Sequence, residues 1–264
     1  MTAAPASSQP AVPSRLRSFL ARQRSLLGVL MVLALLPVAF RMDPANFAIF
    51  VNEPGIWRFL GEGVLMVLAA STAAIVLSLP LALAFALARL SPRRWLRWPS
   101  VAYVEVIRAL PLLLLVFYLF LKMPNLSFGF FSREMLAVTL ALTLYTASVN
   151  AELIRAGMLA LDRGQTEAAR SLGMGYWKSL RYVILPQVYQ RALPPLIAQF
   201  TILLKDTSLG SIIGMVELLQ RGKIISQGYR NPMEALYVVA LLYFAMNFAL
   251  ERLSNATERK TPGR

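Results

Sequence analysis

Several uncharged and largely apolar runs, each nearly long enough to cross a lipid bilayer, constrain the fold most strongly. The longest run, residues 63–88, holds twenty-six residues without a charge, and about twenty apolar residues suffice to span the hydrocarbon core. Such runs predict six spans, at residues 25–40, 63–88, about 99–121, 135–151, about 186–204 and 235–250. Because backbone groups in lipid must be hydrogen-bonded within their own segment, we expect six helices and an all-α membrane protein.

The amino-acid composition supports a membrane protein and excludes several kinds of site. Hydrophobic residues make up 57% of the chain and charged residues 15%, whereas soluble domains are about 45–50% apolar and about 25% charged. The chain has no Cys and no His, which excludes disulfides, a thiol nucleophile and a histidine base. We therefore expect no catalytic residues, no metal and no cofactor.

Lysine and arginine are distributed unevenly among the predicted loops. The chain has 27 Lys+Arg against 13 Asp+Glu. With the N-terminus inside, eighteen of the basic residues fall in inside segments and seven in outside segments. This bias follows the positive-inside rule and predicts that both termini are cytoplasmic. Contact of cytoplasmic loops with anionic membrane lipid also explains the excess of basic over acidic residues, so we expect no nucleic acid partner.

The first 23 residues are rich in Ala, Pro and Ser, which predicts a flexible cytoplasmic tail. A cleaved signal peptide over residues 1–40 is the alternative, because a charged stretch precedes an apolar run there. The charged part is long, and no good small-x-small cleavage site follows Leu36. These two features favour an uncleaved first span.

A long loop at residues 156–187 separates the fourth and fifth predicted spans. Gln165–Leu172 is rich in helix formers and is followed by Gly173, which is typical of a helix C-terminus. Tyr176–Val183 predicts a second short helix that ends near Pro186. Two short helices joined at a glycine would form a knob beneath the membrane.

The surface of this knob has features of a docking site. Ala168 and Ala169 would leave it flat, so that a partner can approach closely, and Glu167 offers one charge to fix the register. An amphipathic loop that lies on the bilayer surface is the alternative interpretation. Residue types alone do not decide between these two.

The same loop carries a spaced motif. Glu167-Ala168-Ala169 is followed after three residues by Gly173, and after nine more by Val183-Ile184-Leu185-Pro186. This resembles the EAA signature of bacterial ABC importer permeases, with Val183 in place of an isoleucine. Segments beginning at Glu105, Ala151 and Lys205 resemble the polar amino acid subfamily. The segment that begins at Lys205 reads Lys-Asp-Thr-Ser-Leu both in this chain and in the subfamily. The segment that begins at Glu105 differs at one place, because Ala109-Leu110 replaces the subfamily's usual Gly-Thr before Pro111.

The resemblance covers about residues 59–253 and implies a permease subunit for polar amino acids of the histidine, glutamine or glutamate type. It implies a multi-pass protein of the bacterial inner membrane, with a five-helix importer core and one additional N-terminal helix. The implied organisation is a tail at 1–23, the additional span and outer loop at 24–58, the transmembrane domain at 59–254 and a cytoplasmic tail at 255–264.

The resemblance also implies partners. A dimer of separate ATPase subunits would dock at Glu167, Ala168, Ala169 and Gly173. A second permease, identical or homologous, would complete the pathway, and an extracytoplasmic solute-binding protein would deliver the amino acid. The chain has no G-x-x-x-x-G-K-[ST] phosphate loop, so we expect it not to hydrolyse ATP by itself.

Ionisable residues within membrane spans are costly and therefore informative. Glu105 and Arg108, and likewise Glu152 and Arg155, are three residues apart. On a helix each pair shares one side and can neutralise itself. The spacing therefore predicts two structural ion pairs near the cytoplasmic end.

The segment Lys205-Asp206-Thr207-Ser208 predicts a substrate-binding site. Thr207 and Ser208 are N-cap types, so we expect one helix to end near Leu204 and a shorter one to begin near Ser208. The open backbone between them would line a cavity. There Lys205 would attract the carboxylate of an amino acid, and Asp206 would attract its ammonium. The alternative is an outer loop in which both charges are solvated.

Three other functions remain as alternatives. The chain could be an ABC permease for another small solute, such as methionine or an oxyanion. It could be an ion-coupled secondary transporter, which needs no ATPase. It could also be a membrane scaffold without transport, although charges within a broken helix argue against that.

Overall fold

The computed structural model describes residue 28 and residues 31–125 and 131–258, with side chains as far as residue 252. In these stretches the backbone is almost entirely helical, as predicted. The chain divides into two compact units, of which the first ends at Asn52 and the second begins at Glu53. This boundary lies a few residues before the predicted one.

The first unit contains short helical segments. Helix α1 occupies residues 31–39, a 3₁₀ turn occupies Pro44–Ala48, and α2 follows at Ile49–Asn52. Asp43 caps the 3₁₀ turn, because its Oδ1 accepts a hydrogen bond from the backbone N–H of Ala45 at 2.9 Å. The predicted tail at residues 1–23 lies outside the described residues, and the predicted first span at 25–40 is described only in part.

The second unit is a bundle of longer helices. They are α3 (Pro54–Leu90), α4 (Arg94–Ala109), α5 (Leu112–Lys122), α6 (Arg133–Leu159), α7 (Arg163–Ser171), α8 (Tyr176–Ser179), α9 (Leu185–Asp206), α10 (Leu218–Tyr229) and α11 (Pro232–Glu258). Among the described residues, four helical segments are long and apolar enough to cross a membrane: Pro54–Leu90, Arg133–Leu159, Tyr176–Ile213 and Pro232–Arg252. The bent pair of α4 and α5 makes a fifth if it is one span.

Helix α3 is the longest element and forms the centre of the bundle with α6. Its 37 residues extend about 56 Å at 1.5 Å per residue, whereas the hydrocarbon core is about 30 Å thick. Ala74, Ser78 and Ala82 are fully buried along its length, and small residues let two spans approach closely. Asn150 of α6 donates to the Ser78 hydroxyl at 3.3 Å, which adds a polar contact to this interface.

The predicted third span is bent. Helices α4 and α5 meet at an angle of 105°, with Leu110 and Pro111 between them. Pro111 has no N–H to continue the helix, and it stands directly before the first residue of α5. At the other end of α5, the Arg133 guanidinium donates to the Phe120 carbonyl at 2.7 Å, which fixes α5 against the start of α6.

The second short helix of the knob does not end near Pro186, so that prediction is wrong. A π turn at Leu180–Ile184 joins α8 to α9, and the N–H of Leu185 donates to the Leu180 carbonyl. Pro186 lies in the first turn of α9, where a missing N–H is tolerated. The wider π turn therefore lets one helical segment pass from the knob into the span.

Candidate functional site

The knob between α6 and α9 contains the predicted short helix that ends at a glycine turn. Asp162 caps α7, with its Oδ1 accepting from the N–H of Gly164 at 2.7 Å. Helix α7 ends where Gly173 adopts φ +76°. The N–H of Gly173 donates to the Arg170 carbonyl at 2.9 Å, and the N–H of Met174 donates to the Ala169 carbonyl at 3.1 Å. This is the hydrogen-bonding pattern of a glycine C-cap.

The exposed surface of the knob differs from the predicted flat pair of alanines. Glu167 and Ala168 are exposed, but Ala169 is buried, because neighbouring residues of a helix point about 100° apart. Beyond the turn, Tyr176 and Trp177 are exposed and meet edge to face, with ring centroids 5.3 Å apart. Exposed aromatic side chains beside a small residue are typical of a protein contact.

Two side chains of α9 hold the knob in place. Gln187 Nε2 reaches Gln165 Oε1 on α7 at 3.1 Å. One turn later, Arg191 donates from its guanidinium to the Ala160 carbonyl, at the C-terminus of α6, at 2.8 Å. Neither side chain was predicted as functional, since both contacts join positions more than twenty residues apart.

A shorter helix does follow α9 near the predicted position, but the open backbone predicted between the two helices is absent from this described segment. Helix α9 continues through Lys205 to Asp206, and a 3₁₀ helix, Thr207–Ile213, follows directly. The Thr207 hydroxyl donates back to the Leu204 carbonyl at 2.8 Å instead of capping a new helix. Thr and Ser make such bonds inside helices as well as at N-caps. The chain turns only at Gly214, whose φ is +88°.

The four predicted substrate residues therefore lie on one continuous helical segment. Lys205 is exposed, Asp206 and Ser208 are partly exposed, and Thr207 is fully buried. They lie in the segment Tyr176–Ile213 that is apolar enough to cross a membrane. The two charged side chains are thus available at the surface of a single span, without the predicted open backbone between them.

The turn after Gly214 places a buried acid that the sequence analysis missed. Glu217 is fully buried and caps α10, accepting from the N–H groups of Leu219 and Gln220 at 2.8 and 3.0 Å. The Tyr243 hydroxyl of α11 donates to the same carboxylate at 2.8 Å. Burial raises the pKa of Glu217, and these hydrogen bonds oppose that shift. The sequence offered one signal for this cap, a glutamate directly before a helix, although glutamate is not a favoured N-cap residue.

Arg221 joins α10 to the first turns of α3. Its guanidinium donates to the Phe59 carbonyl and to the Glu62 carboxylate, both at 2.9 Å, and lies over the Phe59 ring at 4.4 Å. It is 7% exposed. A nearly buried arginine with these partners fixes α10 to the end of the long helix.

Of the two predicted ion pairs, the structure brings one together. Glu152 contacts Arg155 on the same helix and also accepts from Arg89 of α3 at 2.6 Å. Among the described residues no ion pair joins Glu105 to Arg108, and both side chains are exposed. Arg89 was missed because it is 63 positions from Glu152 in the sequence.

Comparison with known proteins gives several relatives. The glutamate transport system permease protein GluD of Corynebacterium glutamicum is 34% identical over 221 residues, which are 83% of this chain and 81% of that protein. The probable glutamine ABC transporter permease protein GlnP of Bacillus subtilis is 36% identical over 205 residues, which are 76% of this chain and 92% of that protein.

Solved structures share the fold. A crystal structure of an amino acid ABC transporter with histidines matches with a TM-score of 0.71 and 30% identity, covering 80% of this chain and 98% of that one. The inward-facing methionine ABC transporter MetNI matches with a TM-score of 0.60 and 20% identity, covering 78% of this chain and 98% of that one.

Residues 78–261 match the family described as binding-protein-dependent transport system inner membrane component. The chain belongs to this family, and is thus a multi-pass permease subunit of an ABC importer in the inner membrane.

Proposed function

We propose that this permease subunit forms the inward pathway for polar amino acids. The observation that carries the proposal is the knob of α7, Gly173 and α8, built directly onto the span α9 through the π turn. A knob continuous with a span can transmit movement of a partner to the membrane pathway. The relatives that transport glutamate and glutamine support amino acids as the substrate class.

The knob is the proposed contact for a dimer of separate ATPase subunits. Glu167, Ala168, Trp177 and Tyr176 supply an exposed surface of one charge, one small side chain and two aromatic rings. Gly173 sets the turn between the two helices that carry it. ATP hydrolysis would belong to the partner, since this chain has no phosphate-loop motif.

The pathway itself requires further subunits. A second permease, identical or homologous, would enclose it together with residues 59–254 of this chain, and a solute-binding protein would deliver the amino acid from outside. Lys205, Asp206, Thr207 and Ser208 remain the proposed substrate residues, because ionisable side chains within a span mark substrate pathways. Glu105 and Arg108 remain a proposed structural pair, formed in another conformation of the exposed stretch of α4.

Transport assays in vesicles test this function. The chain would be reconstituted with its ATPase and solute-binding protein, and uptake of a panel of amino acids would be measured with ATP or with an ion gradient alone. We expect ATP-dependent uptake of one or more polar amino acids. Uptake driven by an ion gradient alone would favour a secondary transporter, and uptake of methionine or an oxyanion alone would favour another solute class.

A further inference from the structure

The turn between α3 and α4 exposes a cluster of arginine and tryptophan side chains. We call it the Arg/Trp turn, and its members are Arg93, Arg94, Trp95, Arg97 and Trp98. All five are exposed, and the two tryptophans are 69% and 67% exposed. Exposed tryptophan is uncommon on a protein surface unless the ring meets another apolar phase.

Four of the five side chains lie on one side of α4, and Arg93 directly precedes that helix. Arg94 and Arg97 are three residues apart at the start of α4, and so are Trp95 and Trp98. Residues with this spacing are neighbours on a helix surface. Ser100, on the other side of α4, is buried. On this exposed surface the arginine pair of α4 therefore lies beside the tryptophan pair.

The positive charges of this surface have no acidic partner among the residues that the structure describes. In the described ranges, no acidic side chain lies within ion-pair distance of Arg93, Arg94 or Arg97. Arg89, in the last turn of α3, contrasts with them, because it contacts Glu152 at 2.6 Å. Three neighbouring guanidinium groups without a carboxylate fit an external anion.

The position of the turn indicates which anion. The Arg89–Glu152 contact places the end of α3 beside the end of α6, so the Arg/Trp turn and the knob lie at the same end of the bundle. The positive-inside bias assigns that end to the cytoplasm. Trp98 lies near the start of α4, and the rest of α4 forms the bent apolar pair with α5. The cluster therefore lies at the depth of the lipid headgroups, where tryptophan rings are enriched.

We propose that the Arg/Trp turn is a binding site for the phosphate headgroup of anionic phospholipid in the cytoplasmic leaflet. The guanidinium groups would contact the phosphate oxygens, since their planar forks match that geometry. The indole rings would lie between headgroups and acyl chains. None of its five residues belongs to the proposed substrate site or to the proposed ATPase contact.

Tryptophan fluorescence can report on this site directly. The chain has four tryptophans, so replacing Trp57 and Trp177 with Phe leaves only Trp95 and Trp98 as reporters. This protein would be reconstituted in phosphatidylcholine vesicles that contain increasing fractions of brominated phosphatidylglycerol or brominated phosphatidylcholine. We expect the phosphatidylglycerol to quench at much lower mole fractions, because each arginine at an anionic surface contributes roughly a fivefold preference.

Arginine variants connect the preference to the three charges. R93Q/R94Q/R97Q should raise, by at least about tenfold, the mole fraction of brominated phosphatidylglycerol that quenches half of the tryptophan fluorescence. The matched control R58Q/K122Q/R230Q removes the same charge from the opposite end and should leave it unchanged. R93K/R94K/R97K keeps the charge and should keep most of the preference, which separates loss of charge from misfolding.

Three results would overturn the proposal. One is equal quenching by the two brominated lipids in the reporter protein. Another is a phosphatidylglycerol preference that survives the three glutamine substitutions. The third is protection of both indoles from lipid quenching when the ATPase subunit is added, which would assign the Arg/Trp turn to a protein contact instead.

Discussion

Gln187 of α9 donates a hydrogen bond from Nε2 to Oε1 of Gln165 on α7, across 3.1 Å. The same nitrogen also donates to the Val183 carbonyl at 3.0 Å, within the π turn. One side chain thus connects the knob, the π turn and the span. Movement of α7 by a docked partner would be transmitted to α9 through this contact and the covalent chain together.

We therefore expect Gln187→Ala to weaken coupling between ATP hydrolysis and transport. A hydrogen bond between neutral groups contributes about 0.5–1.5 kcal/mol, so transport per ATP hydrolysed should fall by roughly two- to tenfold while ATPase activity persists. Gln165→Ala should have the same effect, and the double variant little more. Additive losses in the double variant would show that the two side chains act separately.

Gly173 tests the turn of the knob. Because φ is +76° there, Gly173→Val places a β-branched side chain in the left-handed region, at a cost of about 1–3 kcal/mol. We expect the ATPase to co-purify poorly with this variant, although the chain still inserts in the membrane. Gly175→Ala is the matched control, since Gly175 has φ −66° and open space around it. Normal co-purification of both variants would contradict the docking assignment.

Glu217 tests the stability of the turn before α10. Glu217→Ala removes the cap of α10 and leaves the Tyr243 hydroxyl and two backbone N–H groups without their acceptor. We expect a loss of about 2–4 kcal/mol in the free energy of unfolding, measured in detergent. Glu53→Ala is the control, because Glu53 precedes α3 without a side-chain capping bond. Equal losses in the two variants would mean that the capping contacts contribute little.

Lys205 and Asp206 test the substrate site. If they bind the charged groups of an amino acid, Lys205→Met and Asp206→Asn should each weaken substrate-stimulated transport by about ten- to a hundredfold, since hydrogen bonds to charged groups contribute about 1.5–3 kcal/mol. Basal ATPase activity should survive. If both charges are only solvated, the change should be small, because exposed pairs contribute about 0–1 kcal/mol. Wild-type uptake in both variants would rule out the proposed site.

The sequence predicted the features that depend on large local energies. Charges are costly in lipid, so the gaps between them located the four long apolar helices, and positive φ is costly for most residues, so Gly173 marked its turn. The open backbone predicted near Thr207 was wrong, because the Thr207 hydroxyl donates to a carbonyl of the preceding turn and the helical segment continues. The contacts of Arg89 and Tyr243 were missed because they depend on the packing of distant helices.

The π turn at Leu180–Ile184 also fixes the angular register between the knob and the span. Each residue of a helix advances it by about 100°, and the π turn accommodates one residue more than a regular turn does. If the same residues wound as a regular α-helix instead, Trp177 and its neighbours would swing about a quarter of a revolution around the axis of α9. The π turn therefore sets the direction in which the exposed surface of the knob faces.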